Sequence, residues 1–392
     1  MDNICKDESC TGCGLCSQLC PVNCIEMKEN KEGFLRPVID KDKCKKCNLC
    51  KKKCPANNEI KNNSNKSAYA SYTKDKEILM NSSSGGIFYE LAKNIINNNG
   101  VVFGTIYAED MSVMHEMVDN SEDIKKLLGS KYVQSDTNNV YKKVKQQLKL
   151  GKKVLFAGTP CQVYALKTYI GKENENLITI DFICTGVPSR LIYKDYLKSL
   201  KITPRTVSFR DKKHGWKHFG MKVTGKKGKM YELRYFNKYI QAMYNHLSIM
   251  KSCYNCKFKE LISGSDIKLG DFWGIENLNM GLDYINGVSI VMLNSDKACH
   301  IFNEIKDNLI YKEVSLDSIY STNTSFFKCA SNEKRDEFFK EYMTQNNIND
   351  KMKILDKYTK KSAKDITNIK IIVGKDKLKY ILNKLNIRRK NG

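Results

Sequence analysis

Between Ala68 and about Gln345, apolar and polar positions alternate with two periods, and the switches between them mark the elements. In "SSSGGIFYELAKNIINNNG" (82–100), Ile87, Leu91 and Ile95 recur at helical spacing, the serines suit a cap and Gly100 ends the run. "VVFGTIYA" (101–108) reads as a strand. "KKVLFAGTP" (152–160) reads as a strand closing in a tight turn, followed by a helix from about Cys161 to Tyr169. "LITIDFIC" (177–184) is a buried strand and "RLIYKDYLKSL" (190–200) an amphipathic helix. "TVSFR", "FGMKVTG" and "KMYELRYF" predict antiparallel strands, and "GVSIVMLN" with "KACHIFNEIKDNL" a further strand and helix. The pattern predicts a mixed α/β domain whose apolar strands occupy a central sheet.

Outside this stretch the texture changes. Residues 1–55 are dense in cysteine. "ANNEIKNNSNKS" (56–67) is polar and low in complexity, a linker. The organisation predicted is a module over 1–55, a linker over 56–67, an α/β domain over 68–345 and a basic helical tail over 346–392.

The chain has 392 residues, 41% of them hydrophobic, enough for two domains and a tail. Its longest clean apolar run falls well short of the ~18–20 residues that span a bilayer. The opening "MDNICKDESC" lacks the basic and apolar regions of a secretion signal, so the expected location is the cytoplasm. Sixteen cysteines in such a chain point to metal or redox work and away from a disulfide framework. The net charge is +24, unevenly spread: residues 351–392 hold 14 Lys and Arg against 3 Asp and Glu. That tail is either a solvated basic face or an attractor for nucleic acid, anionic lipid or an acidic protein.

Cys10, Cys13, Cys16 and Cys20 with Pro21 read C-x2-C-x2-C-x3-C-P. Cys44, Cys47, Cys50 and Cys54 with Pro55 repeat it 34 residues later. This is the signature of a bacterial two-cluster ferredoxin module. Three thiolates on a tight loop grip one cubane, while the fourth, before a chain-turning proline, reaches the other. Cys10, Cys13, Cys16 and Cys54 are therefore expected to bind one 4Fe-4S cluster and Cys44, Cys47, Cys50 and Cys20 the second. The bound metals replace a core that so short a segment cannot build. Structural zinc, the alternative, favours paired C-x2-C motifs across a longer loop. Cys24 reads as packing on a cluster, and Cys5 as incidental.

Six cysteines remain. Cys299, on a predicted helix, and Cys329 read as packing. Cys161 and Cys184 each follow an apolar strand, and Cys253 and Cys256 form the C-x2-C pair of "CYNCKF". If the two strands are neighbours, the four thiols make a set for one further cubane or one zinc. By itself Cys161 admits three readings: inert packing, a thiol activated by a helix N-terminus, or a cluster ligand.

The stretches "SSSGGIF" (82–88), "LGSKYVQS" (128–135), "FAGTPCQVYALK" (156–167), "DFICTGVPS" (181–189), "RDKKHGW" (210–216), "CYNCKF" (253–258) and "SDIKLGDFWG" (265–274) together resemble one family. It is the coenzyme F-420 hydrogenase/dehydrogenase beta-subunit family, here preceded by a ferredoxin module. The resemblance covers most of residues 5–300 and leaves out the tail. It implies a flavin, usually FAD, beside a 4Fe-4S cluster, and electron passage between clusters and a two-electron donor or acceptor. The deazaflavin F-420 is the acceptor in archaeal hydrogenase members, and relatives reduce sulfite through an attached domain, or a chlorophyll side chain. By the same resemblance Cys161, Cys184, Cys253 and Cys256 fall on the positions of the domain's own cluster. One departure stands out: many relatives have His after the cysteine of a "CHG" motif, where this chain has Thr185, which puts any acid-base role there in doubt.

The flavin this implies, FAD or FMN, needs phosphate donors and a flat slot. Ser83, Ser84, Gly85 and Gly86 before a helix offer hydroxyls and free N–H groups, or form an ordinary cap. No G-x-G-x-x-G follows a strand, so a Rossmann site is not expected. Ser130, Lys131, Gln134 and Ser135 are candidate phosphate or ring contacts. Lys131 is either a stabiliser of an anionic reduced ring or a surface lysine. Gly158 and Thr159 suit backbone approach to the ring. Asp271 and Trp273, in "GDFWG", suit a turn against a cofactor, and a plain buried tryptophan is the competing reading. His214 and His218 read as a surface loop or as proton donors.

Three functions follow: a flavin and iron-sulfur oxidoreductase, an electron-transfer subunit without its own substrate site, or a nucleic-acid or membrane binder with structural clusters. The first is the expectation. Its partner is a redox protein such as an acidic ferredoxin or flavodoxin, with peripheral membrane contact through the tail and no nucleic acid. The physiological donor and acceptor are not legible.

Overall fold

The computed structural model of the protein describes residues 3–60, 64–363, 366, 367, 369–371 and 373–375. Near the N-terminus, β1 (Ile25–Glu29) and β2 (Leu35–Ile39) pair as an antiparallel hairpin between the two cysteine runs. The strands of the large domain are β3 (Ser67–Thr73), β4 (Val101–Tyr107), β5 (Val113–Val118), β6 (Val154–Ala157), β7 (Leu177–Phe182), β8 (Pro204–Asp211), β9 (Gly220–Gly225), β10 (Gly228–Leu233), β11 (Ile267–Asp271), β12 (Ser289–Leu293) and β13 (Leu309–Glu313). Eight of them form one sheet in the order β13-β3-β12-β11-β7-β6-β4-β5, and β10-β9-β8 form a second.

At the centre of the large sheet, β4, β6, β7 and β11 run parallel. Parallel strands are covered on both faces, which is why "VLFA" and "LITI" carry almost no polar position. On one face Val102, Leu155, Ile178 and Ile180 pack under the helices Ile87–Asn97 and Asp296–Ile305. On the other, Val101, Phe103, Val154, Phe156 and Leu177 pack under Val140–Lys149 and Pro160–Ile170. Each fully buried side chain of this kind contributes roughly 1.5–3 kcal/mol. The flanking β3, β5 and β13, and the parallel β11, are absent from the pattern-based expectation.

Ile87–Asn97 begins at Gly86 in the left-handed conformation (φ 81°) with no side-chain cap, so the three serines do not cap it. Pro160–Ile170 is capped by Thr159, whose hydroxyl and the Gln162 side chain form a reciprocal capping box. Gly171 at φ 80° ends it.

The second sheet shares a core with the helices Arg190–Ser199, Lys238–Tyr244, Arg335–Thr344 and Ile348–Thr359. Met352 and Leu355 of the last helix are buried, and Lys351 pairs with Asp195 at 2.8 Å. The first turns of the segment assigned to a basic tail therefore pack onto the domain. Of that expected tail, residues 364, 365, 368, 372 and 376–392 lie outside the described residues. Among the described residues no helix is long and apolar enough to cross a membrane.

The cysteine-rich module is pressed into this body. Phe34, between β1 and β2, is fully buried in the second core. Arg190 N donates to Gly33 O and Ser189 Oγ to Glu32 O, while Arg335 grips the Glu32 carboxylate at 2.5 Å. Gly33 has φ 78°, and a Cβ there would stand 2.9 Å from Leu191 Cα with the Leu191 amide closer still. Gly151 has φ 74° with open space around it. Gly33→Ala is expected to lower stability by about 3 kcal/mol, strain and clash together, against about 1 kcal/mol for Gly151→Ala, strain alone. Urea denaturation midpoints of the anaerobic proteins check the contrast; equal losses would mean that the hairpin is not held against the domain.

Candidate cofactor site at the carboxyl edge of the sheet

The parallel strands end along one edge, the place where open α/β sheets bind ligands. A cavity of about 300 Å3 lies there. Gly104 and Thr105 come from β4, Ala157 from the end of β6, Gly158, Thr159, Cys161 and Gln162 from the turn and helix that follow, Phe182 from the end of β7 with Ile183 to Pro188 after it, and Leu269 to Asp271 from β11. Ser82 to Ser84 and Leu127 to Ser135 close it from above, and Thr11 and Gly12 of the cysteine-rich module reach its wall.

Of the residues expected to meet a flavin, Ser83, Ser84, Gly86, Ser130, Lys131, Gln134, Ser135, Gly158, Thr159 and Asp271 border this cavity. Gly85 and Trp273 are not among its walls. Gly85 donates its N–H to Ser289 Oγ at 2.9 Å, and a Cβ would collide with the β3 backbone, so the glycine serves close packing. Trp273 stacks on Trp216, centroids 4.6 Å apart, within the apolar core. The Asp271 carboxylate is committed elsewhere: Arg210 binds both its oxygens at 2.8 and 3.0 Å, and Trp216 Nε1 donates at 2.9 Å. Burial pushes Asp271 up, but the Arg210 guanidinium outweighs it and holds the carboxyl below its usual range. Gln134 Oε1 accepts the Leu35 amide at 2.8 Å, so this side chain ties module to domain. His214 and His218 lie off the cavity, beside Tyr231 and Tyr235.

The serine loop is held from behind by a residue that local pattern does not reveal. Buried Lys212 donates to Leu79 O, Ser84 O and Asn286 O at 2.6, 2.7 and 2.6 Å. Burial lowers its pKa to about 7, and the nearby Arg210 charge adds to the effect. Lys212 and Arg210 stand in the "RDKKHGW" segment, but nothing local distinguishes a buried lysine from an exposed one. Ser83 Oγ accepts the Ser130 amide at 2.7 Å, joining the two loops over the cavity. Lys131 Nζ donates to Leu128 O at 3.2 Å, and burial lowers its pKa to about 7. Among the described residues it has no carboxylate partner, so a bound anion would restore its charge.

A second cavity of about 30 Å3 adjoins the first, and Cys161, Cys184, Cys253 and Cys256 all line it. The tertiary fold thus gathers four thiols spread over nearly 100 positions. Burial pushes all four thiols up, Cys256 to about 11. Such thiols stay protonated unless a metal takes the proton's place. Lys259 donates to Cys184 O at 2.8 Å and to Ser325 O at 3.0 Å. Buried Lys268 is neutralised by Asp181, 2.7 Å from both oxygens. Among the described residues no three His, Cys, Asp or Glu side chains gather around the position of a single ion. Phe182, Ile183, Cys161, Cys184 and Thr11 border both cavities. Cys329 sits 3.7 Å from Cys256 O, and Cys299 packs beside the other face of the sheet.

In the module, Cys20, Cys44, Cys47 and Cys50 line one cavity of about 20 Å3, the crossed set expected from the spacing. Cys16 is pushed up by burial and then by Cys13, Cys10 and Cys54, so these four are also neighbours. Two other cysteines lie against these sets. The Cys5 thiol bonds to Cys10, holding it down at about 6, and to Cys54. Cys24 Sγ is 3.4 Å from Cys20 Sγ. Tyr141 OH and Thr137 Oγ1 donate to Cys13 O at 2.7 and 3.3 Å, and Cys13 is close enough to raise Cys161.

Residues 151–318 match the family described as the C terminus of the beta subunit of coenzyme F420 hydrogenase/dehydrogenase, and residues 9–58 match the 4Fe-4S dicluster domain. No curated protein matches the chain. Among solved structures, a chain of the F420-reducing [NiFe] hydrogenase complex from Methanosarcina barkeri, studied by xenon derivatization, aligns at a TM-score of 0.46. It shares 15% identity, over 76% of this chain and 91% of that one.

His115 backs the cavity floor, stacked on Phe156 with its Nε2 donating to Ala157 O at 3.2 Å. Burial lowers its pKa to about 4, so the fold prefers the neutral ring. The stability this gives is fully present above the unfolded value near 6.5 and is lost as pH falls toward 4. From pH 6.5 to 5 the loss is about 1.5 kcal/mol. His115→Phe is expected to remove that part of the slope, measured as denaturation midpoints across this range; an unchanged slope would mean the ring is not buried neutral.

Proposed function

From a chain that carries the C-terminal domain of the coenzyme F420 hydrogenase/dehydrogenase beta-subunit family behind a 4Fe-4S dicluster domain, we propose an iron-sulfur flavoprotein oxidoreductase. It moves electrons between a one-electron carrier and a two-electron donor or acceptor. The observation that carries this reading is continuity. The four-thiol cavity and the 300 Å3 cavity share wall residues, among them Thr11, which lies between Cys10 and Cys13 in the module's first cysteine run.

Under this reading Cys10, Cys13, Cys16 and Cys54 hold one cluster and Cys20, Cys44, Cys47 and Cys50 another. Cys161, Cys184, Cys253 and Cys256 hold a third. The fit is chemical: two of the sets each line one small cavity with four thiols, and the thiols of Cys10, Cys13, Cys16 and Cys54 are near enough to raise one another. A flavin, FAD or FMN, fits the larger cavity, whose wall combines small residues, hydroxyls and one carboxylate-free lysine. Bound there, clusters supply single-electron conduction and a flavin supplies the exchange between one and two electrons.

The chain's own side chains then have definite tasks. Lys212 holds the serine loop in shape from behind, so that Ser83 and Ser84 are ordered before any ligand arrives. Lys131 answers an anionic group with charge. Arg210 keeps Asp271 occupied, so the cavity wall does not repel that anion. Phe182 and Ile183 border both the four-thiol cavity and the larger one, and Thr185 borders the larger one. Thr185 can hydrogen-bond but does not titrate, so proton delivery through this position is not part of the reading. A conduit role within a larger complex is the second reading, favoured by the family's description as a beta subunit.

Iron and flavin quantification on the anaerobically prepared protein tests the proposal. About twelve iron and about one flavin per chain are expected, with iron falling toward about eight in both Cys161→Ser and Cys253→Ala. Wild-type iron near eight, unmoved by either substitution, would remove the third cluster. Single-turnover mixing with reduced ferredoxin, NAD(P)H and a deazaflavin divides enzyme from conduit.

Flavin affinity carries a proton signature. Burial holds the pKa of Lys131 at about 7, and an anion beside it raises that value, so binding takes up a proton above pH 7. Affinity is expected to fall up to about tenfold per pH unit above 7, and Lys131→Gln should weaken binding and flatten the dependence. Fluorescence titration reads both; an unaltered profile in the variant would take Lys131 away from the ligand.

A further inference from the structure

The two halves of the cysteine repeat are opposites in surface chemistry. Thirty-four residues on, Thr11, Gly12, Ser17, Gln18 and Leu19 become Lys45, Lys46, Lys51, Lys52 and Lys53. The first half is neutral and packed: Gly12 and Gly14 leave no room for a Cβ against Gln134, Leu35 and Thr137, and Gln18 Oε1 accepts the Tyr141 amide. The second half is exposed throughout its lysines, and of the sixteen cysteines Cys47 alone is exposed. Gly12 at φ 63° corresponds to Lys46 at φ 52°. The loop needs the left-handed conformation in both halves, and at the outer one a lysine occupies it despite a cost of about 1 kcal/mol.

Three of the module's carboxylates turn the other way. Glu8 pairs with Lys251, Glu29 with Arg190 and Glu32 with Arg335, all cations of the large domain. Across residues 40–53 seven lysines face two aspartates. Lys43 is paired with Asp40 at 3.1 Å, and among the described residues the other five named lysines have no carboxylate partner.

We propose that this lysine rim around Cys47 is the docking face for an acidic one-electron carrier protein. The inference rests on the cluster reading above and adds where the carrier meets the molecule. Exposed lysines interact over roughly 10 Å at moderate salt, far enough to orient an acidic partner before contact. They sit on the loop whose thiols face the outer cavity, so the most cationic surface of the module and its most accessible thiol coincide. The exchange is one electron between the carrier's iron-sulfur or flavin centre and the centre held by Cys20, Cys44, Cys47 and Cys50. One side is oxidised as the other is reduced, and no proton or bond moves.

The test reverses four of these charges, Lys45→Glu, Lys46→Glu, Lys51→Glu and Lys52→Glu. A control reverses four exposed lysines elsewhere, Lys149, Lys172, Lys226 and Lys227. Isothermal titration calorimetry with an oxidised acidic two-cluster ferredoxin reads binding without turnover. The wild type should bind, more weakly as salt rises. The rim variant should lose about tenfold or more in affinity at low salt, and the control should not. Stopped-flow reduction by the reduced ferredoxin should slow by a similar factor, while reduction by methyl viologen radical cation should not slow. A milder pair, Lys45→Gln with Lys51→Gln, should lie between. Equal affinity in wild type and rim variant, or equal loss in the control, would overturn the proposal. So would tighter binding to phosphatidylserine vesicles or single-stranded RNA that the same rim variant abolishes. Iron content is measured on every sample: wild-type iron well below eight per chain would sink the cluster reading itself, whereas full iron with unaltered ferredoxin affinity sinks only the docking face.

Discussion

Parallel pairing of β4, β6, β7 and β11 is the constraint on which the rest depends. Hydrogen-bonded neighbours lie about 4.8 Å apart, so chains leaving the same edge of adjacent strands emerge side by side. Gly158 and Thr159 leave β6 next to Ile183 and Cys184 leaving β7, and Gly270 and Asp271 end β11 beside them. Two thiols and a polar cavity wall are therefore close by topology, before any cofactor binds. The tight turn into Pro160–Ile170 completes the arrangement. Thr159 caps the helix, and its hydroxyl stands 3.1 Å from Cys161 Sγ.

Buried charge holds the surroundings of that edge in place. Lys212 satisfies three backbone carbonyls, one from the helix Lys76–Asn81 and two from the loops at Ser84 and Asn286, and Arg210 binds Asp271 nearby. Groups of this kind are costly to bury unless fully paired, so they specify one arrangement of the loops more sharply than apolar contacts would. Lys131 differs from these two in place: its ammonium also meets backbone carbonyls and stands 5.4 Å from the Tyr107 ring centroid, but it borders the cavity, which Lys212 and Arg210 do not.

The cysteine-rich module supplies the other side of the site. Its inner loop lies so close to the domain that glycine is required at positions 12 and 14, and Thr11 and Gly12 become part of the cavity wall. The outer loop keeps the same backbone turn but meets solvent, and there the same positions carry lysine and asparagine. A repeat that is symmetric in its thiols is thus polarised by what each half touches.

What the sequence by itself determined was local. Thiols spaced two and three residues apart must share a small volume, so each cysteine run was legible from spacing, while the crossing of Cys20 to Cys44, Cys47 and Cys50 was read from the ferredoxin signature. Alternation and helical recurrence likewise revealed β4, β6, β7 and the helix after Gly158. Proximity across the chain was beyond local pattern. That Cys161 and Cys184 meet Cys253 and Cys256 followed from strand order together with family resemblance, and only the tertiary structure set the four around one cavity. It also decided that Gln134 binds the Leu35 amide, that Trp273 stacks on Trp216 and that Lys212 is buried. The physical reason is the same in each case: a residue's partner is chosen by which strands and loops are neighbours in space, and short-range periodicity carries no record of that choice.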